Sequence, residues 1–319
     1  MKITKLGAAG VAAVAVLFGT VTADAETRVT YKSAKSTSSY YQMAVQIAEA
    51  VKRGTGGGMI LTVEESQGSV QNVKEAAVRP GNYVFTTPPS LIGLAQGGKK
   101  MFEPKNPKFD EIRGLFPIPS LTMHFVVRAD SGIKTFADLA GKSYLIGKGS
   151  FGAKEAEKYF EMFGIKDKVK LVDVELNAAV AALKNKQVDG FATAGSYPAP
   201  NVMEAAAGTA IHLISMTDQQ VAESKRTKLV IPGGTYPGVD QDTVTTSLSV
   251  MAYTTTGMSD DDAYTLTKTY WSEKARMGAD NKWWGGVKPE MLSEMTGKLH
   301  PGALKYYAEA NISVPDALK

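Results

Sequence analysis

Short apolar runs rich in β-branched and aromatic residues alternate along this chain with segments of helical period, in two successive blocks. That order constrains the fold more than any other feature, because strand–helix–strand units favour a parallel sheet covered by helices on both faces. In the first block, residues 28–31, 59–63, 83–85 and 121–127 read as strands. Between them Tyr41, Ala44, Val45, Ala48 and Val51 recur at helical spacing. Ser69 stands where it would cap a helix carrying Val70, Val73 and Ala77, and Pro88-Pro89-Ser90 opens another. The second block places strands at 144–146, 169–174, 191–193 and 211–214. Its helices fall at 153–163, 178–183 and 200–207, with a helical turn at 135–139. Residues 230–246 then return, and helical stretches at 260–277, 288–299 and 301–311 follow. The expected class is α/β, with two units in series, each a mainly parallel sheet flanked by helices.

Composition narrows the chemistry. Of 319 residues, 44% are hydrophobic and 21% charged, enough apolar surface for a sizeable core. The net charge of +4 is spread along the chain, which leaves no footprint for nucleic acid. The absence of cysteine excludes disulfides, thiolate metal sites and cysteine nucleophiles. His124, His212 and His300 are too scattered to form a metal cluster, so no metal or cofactor is expected. At the N-terminus, Lys2 and Lys5 precede an apolar run over 6–21, and Ala23-Asp24-Ala25 forms an A-x-A site. This layout predicts a signal peptide over 1–25, cleaved on export. No cysteine follows the run, so a bacterial lipid anchor is not expected. The expected product is a free protein outside the inner membrane.

Ligands of open α/β sheets bind beyond the carboxyl ends of the strands, where helix N-termini offer N–H groups. Three such junctions are rich in glycine or hydroxyl residues: Lys35-Ser36-Thr37-Ser38-Ser39-Tyr40, Gln67-Gly68-Ser69 and Gly147-Lys148-Gly149-Ser150-Phe151-Gly152. Glycine lets backbone approach a ligand, and the hydroxyls supply hydrogen-bond partners. A fourth is Ala194-Gly195-Ser196-Tyr197-Pro198, where Tyr197 either packs across a ligand or covers the core edge. Lys35, Arg128, Lys148 and Lys154 are the neighbouring cations, any of which could hold a carboxylate. Gly147, Gly149 and Gly152 also spell G-x-G-x-x-G, with Asp173 and Glu175 downstream as a dinucleotide fingerprint requires. An exported NAD-binding oxidoreductase is therefore the alternative, though no hydride partner stands out. Trp283-Trp284-Gly285-Gly286 reads as a packing corner more readily than as a sugar platform.

The ordered pieces Glu65-Ser66-Gln67-Gly68-Ser69-Val70-Gln71-Asn72, Ala129-Asp130-Ser131-Gly132-Ile133-Lys134 and Asp138-Leu139-Ala140-Gly141-Lys142 carry a resemblance. So do Gly149-Ser150, Val188-Asp189-Gly190-Phe191, Tyr236-Pro237-Gly238 and His300-Pro301-Gly302-Ala303. Together they resemble the TRAP-associated extracytoplasmic immunogenic (TAXI) family of solute receptors. The resemblance implies a two-lobed periplasmic binding protein fold, type II-like, with a ligand cleft between lobes and no catalysis. It implies a monomer in the periplasm that hands a small carboxylate-bearing solute, such as glutamate or 2-oxoglutarate, to a sodium-driven TRAP transporter. The same lobes would serve an ABC importer or a sensor kinase. The lobes fall at 26–124 plus 245–319 and at 125–235, with hinge crossings near 125 and within 236–245. By resemblance the ligand meets Ser36 through Tyr40, Ser69, Ser90, Gly149 through Phe151, and Gly195 through Tyr197. Two departures, the glycine-free stretch before Tyr40-Tyr41 and the bulky Phe151, add volume and charge where the ligand is expected.

Overall fold

The computed structural model describes residues 26–79 and 81–319, so the expected signal peptide lies outside the described residues. The first block runs β1 (Thr27–Lys32), α1 (Ser39–Gly54), β2 (Met59–Glu64), α2 (Ser69–Ala76), β3 (Tyr83–Thr87) and α3 (Pro89–Gln96). A long strand β4 (Ile112–Arg128) leads into the second block. There follow β5 (Ser143–Leu145), α4 (Phe151–Met162), β6 (Lys170–Val172), α5 (Ala179–Lys184), β7 (Gly190–Gly195), α6 (Pro200–Gly208) and β8 (Ile211–Leu213). Helix α7 (Asp218–Ser224), β9 (Thr227–Ile231) and the long return strand β10 (Thr243–Thr255) come next. The chain closes with α8 (Asp260–Asp280), β11 (Lys298–Leu299) and α9 (Pro301–Glu309). Among the described residues no helix is long and apolar enough to cross a membrane.

The strands form one sheet in the order β2-β1-β3-β10-β4-β7-β5-β6. The outer strands pair in parallel, β1 with β2 and β3, and β5 with β6 and β7. The centre is antiparallel: β10 pairs with β3 and β4, and β4 pairs with β7. Each block thus carries parallel pairings, as expected, and the sheet as a whole is mixed because β4 and β10 run through its middle in opposite directions. One large apolar cluster, with Ile47, Phe116, Phe125, Tyr159 and Tyr270, extends along the sheet. A second packs α5 and α6 against Val126, Leu145 and Phe191.

Strand β4 starts at Ile112, well before the expected residue 121. Pro117 and Pro119 hide its first half, since proline lacks the N–H that a central ladder needs. The ladder with β10 slips between Leu248 and Val250, opposite Pro119, and again between Ala252 and Tyr253. Carbonyls released along this irregular stretch are taken by buried tyrosines. The Tyr307, Tyr270 and Tyr40 hydroxyls donate to the carbonyls of Leu115, Pro117 and Pro119 at 2.7, 2.7 and 3.0 Å. Burial pushes all three phenols well above the ordinary tyrosine range, so they remain donors at any physiological pH.

Other local expectations shift. The stretch 288–299 is a 3-10 turn, Pro289–Glu294, followed by β11, because Gly297 turns the backbone at φ 86°. The turn at 135–139 shortens to a 3-10 turn, Ala137–Leu139. The return over 230–246 splits between β9 and β10. Helix α7 is not among the expected elements, although Thr217 and Gln220 form a reciprocal capping box at its start.

Two buried groups at the central strands, Tyr270 of α8 and His124 of β4, generate predictions. Tyr270 stacks on Phe116 with centroids 3.8 Å apart while its hydroxyl serves Pro117. Tyr270→Phe keeps the ring and strands that carbonyl, and urea denaturation should show a loss of about 1–2 kcal/mol. His124 Nδ1 faces the Thr122 carbonyl at 3.1 Å, so Nδ1 carries the proton. Its Nε2 accepts from the Tyr236 hydroxyl at 2.8 Å, which itself accepts from the Ala199 N–H. Burial pulls His124 down to about 4, against the hydrogen bonds that favour its charged form. The unfolded chain therefore binds this proton first as pH falls, and stability drops between roughly pH 6.5 and 4. The wild type should lose about 2 kcal/mol from this group between pH 7 and pH 5, and His124→Gln should lack that component.

Candidate functional site

The loops that follow parallel strands β1, β2, β5 and β6 converge on one cavity, as the geometry of α/β sheets leads one to expect. Its floor is largely apolar: Tyr40, Leu121, Ile146, Leu176, Ala192 and Ala194. Lys35, Ser38, Gln67, Gly68, Ser69, Lys148, Ser150, Phe151 and Gly152 complete the lining. Helices α1, α2 and α4 all begin there. Ser38 and Ser150 cap α1 and α4, accepting from the N–H groups of Tyr41 and Ala153. Helix α2 differs from expectation. Gly68, at φ 107°, holds the cap position and Ser69 is the first helical residue, so no side chain caps the N–H groups there. Three helix N-termini with their partial positive charge therefore surround one small space, and one of them is uncapped.

The cavity volume is about 50 Å³, room for a few water molecules, and an ion pair joins loops on its two sides. The Lys35 Nζ lies 2.8 Å from Glu175 Oε2, and Gln67 Nε2 donates to Oε1 of the same carboxylate. These hydrogen bonds from Lys35 and Gln67 hold Glu175 below the ordinary carboxylate range. Glu65 is also lowered, chiefly because Ser36 bonds to it. Lys148 reaches outward to Asp173 at 2.7 Å, and both side chains are well exposed.

Of the residues singled out in the sequence, Lys35, Ser38, Tyr40, Gly68, Ser69, Lys148, Ser150 and Phe151 meet at this cavity. The others lie elsewhere. Ser36 is exposed and gives its N–H to Glu65 at 2.8 Å. Thr37 buries a hydroxyl without a protein partner. Gly149 lies on the outer side of the turn, beside Lys154 and Asp173. Ser90 opens α3 on an adjoining groove with Leu91, Leu94 and the far side of Phe151. Gly195 and Ser196 form a tie at the base: the Ser196 N–H donates to Ser39 Oγ at 2.9 Å, and its own hydroxyl donates to the Ser120 carbonyl at 2.6 Å. A methyl on Gly195 would sit 2.5 Å from Ser39 Oγ, so only glycine fits. Tyr197 lines a groove of about 680 Å³ with Ser120, Thr122, Pro198 and Trp283. Trp283 donates its indole N–H across that groove to the Pro198 carbonyl at 3.2 Å, whereas Trp284 is fully buried against Gln46.

The structure adds residues that were not selected as ligand contacts: Gln67, Glu175 and the floor residues Leu121, Ile146, Leu176 and Ala192. Glu175, the acid of the dinucleotide pattern, is engaged instead by Lys35. The glycines of that pattern have structural reasons. Gly147 and Gly149 take φ of 80° and 75°, and a methyl on Gly152 would meet Ala194 at 2.9 Å.

Solved structures share this architecture. The periplasmic binding protein BugD superposes with a TM-score of 0.58 at 12% identity, over 91% of this chain and 99% of that one. The alkanesulfonate-binding protein SsuA from Xanthomonas axonopodis pv. citri, bound to MOPS, gives 0.47 at 14% identity over 92% and 96%. A TRAP periplasmic solute binding protein from Shewanella oneidensis with bound succinate gives 0.46 at 12% identity over 89% and 92%. The first of these establishes the fold as that of a periplasmic binding protein. The same frame is recognised in the sequence itself, where a family model matches residues 32–310, from the end of β1 to the end of α9, and the chain belongs to the NMT1-like family.

Proposed function

We propose that the protein is an extracytoplasmic receptor that captures a small carboxylate-bearing solute between two lobes, without catalysis, and delivers it to a membrane transporter. The observation that carries this reading is the convergence of three helix N-termini and Lys35 on one cavity. Unpaired N–H groups and an ammonium suit an anion, and an apolar floor suits a short carbon chain. A dicarboxylate or an acidic amino acid such as glutamate or 2-oxoglutarate fits that chemistry. The lobes comprise 26–124 plus 245–319 and 125–235, and the crossings near 125 and within 236–245 act as the hinge. Closure then shifts a pre-existing equilibrium, since only the closed form touches the solute from both sides. The resemblance to TAXI receptors supports a TRAP-type partner. Uptake by membrane vesicles that runs on a sodium gradient rather than ATP would separate that partner from an ABC importer.

A thermal-shift screen of residues 26–319 tests the solute class, because a ligand of the native state raises the melting temperature by mass action. Succinate, glutamate or 2-oxoglutarate should raise it, and neutral sugars should not. Lys35→Ala should weaken the best carboxylate by about tenfold, the scale of one charge-assisted hydrogen bond. Stabilisation by neutral sugars alone would contradict the anion reading.

A further inference from the structure

We infer that Glu175 is an internal competitor for the cation that anchors the solute, and that it latches the cleft shut through Lys35 and Gln67. This rests on the receptor reading above. Among the described residues, Lys35–Glu175 is the one ion pair that joins the segments 26–118 and 256–319 to the segment 125–245. Its carboxylate is held as a free carboxylate would be. One oxygen accepts from an ammonium and the other from an amide, supplied by the loops after β1 and β2.

With the latch in place the cavity measures about 50 Å³, well below the roughly 300–1,000 Å³ of ordinary small-molecule sites. A solute therefore reaches Lys35 only once Glu175 has left it. Departure is easy for Glu175, whose side chain is 41% exposed and turns into water, whereas Lys35 is 17% exposed and stays in the wall. The tethered carboxylate has a high effective concentration at Lys35. A solute must outcompete it, so a carboxylate with further contacts to the α2 and α4 N-termini is favoured over a simple anion. The cation nearest in chain on the opposite wall, Lys148, is held outward by Asp173 and offers no substitute.

Glu175→Gln tests this, since it removes the charge and keeps the size. Small-angle scattering of the variant without added solute should show a larger radius of gyration than wild type. Titration with succinate and with glutamate should show the better binder held about 3- to 10-fold more tightly, with faster association, on the scale of releasing an exposed ion pair. Asp173→Asn, which frees only the outward Lys148, should change neither. An unchanged radius of gyration in Glu175→Gln overturns the latch even if no solute binds. Weaker binding in that variant overturns the competition and makes Glu175 a contact of the closed complex. If no carboxylate stabilises any of these proteins but the radius increases, the latch stands and the solute class is what fails.

Discussion

The pairing of β4 with β10 is the constraint on which the rest of the molecule depends. These two strands occupy the middle of the sheet, with parallel strands on either side. Strand side chains alternate between faces, so Leu121 points into the cavity of the helix N-termini while Ser120 and Thr122 line the groove behind it. The two hollows thus both touch β4 and share none of their lining residues. The Lys35–Glu175 pair and the Trp283–Pro198 hydrogen bond each tie the first block or the C-terminal helices to the second block.

That ladder is also the least regular part of the sheet. Two prolines and two register slips fall within β4 and its pairing to β10. Tyrosine hydroxyls from α1, α8 and α9 restore the missing partners, and each is buried where water cannot replace it. The helices are therefore fastened to the crossing strand by directed bonds as well as by apolar contact. Tyr40 does this from the first turn of α1, beside Ser38, so one wall of the cavity is referenced directly to the central strand β4.

Much of the architecture was legible because burial periodicity is a local property. The outer strands and most of the helices lie where β-branched runs and helical spacing place them. What escaped depends on partners distant in sequence. The first half of β4 contains Pro117 and Pro119, which argue against a central strand until the bulged partner β10 is known. Residues 288–299 have helical composition, yet Gly297 and the parallel contact with β4 convert their end to β11. In the site, the residue types were legible and their directions were not. Gly68 and Ser69 differ by one position in their claim to the helix cap, and that difference decides whether the α2 N–H groups are spent internally. Tyr197 was correctly placed at a loop after a strand, but it faces the rear groove.

The glycine pattern at 147–152 shows how one string of residues serves unrelated physics. In a dinucleotide fold such glycines admit a pyrophosphate and an acid further on holds a ribose. Here Gly147 and Gly149 provide left-handed backbone, and Gly152 brings α4 against Ala194 of β7. The downstream acid, Glu175, pairs with a lysine from the first block. The helix N-terminus that the glycines expose is the feature common to both uses. Electrostatically, Lys35 and Glu175 cancel one another at the mouth, and what remains inside is the field of three helix ends over an apolar floor. On the receptor reading proposed above, such a field would favour an anion without fixing its shape, and selectivity would fall to the apolar lining of Phe151, Leu176 and Tyr40.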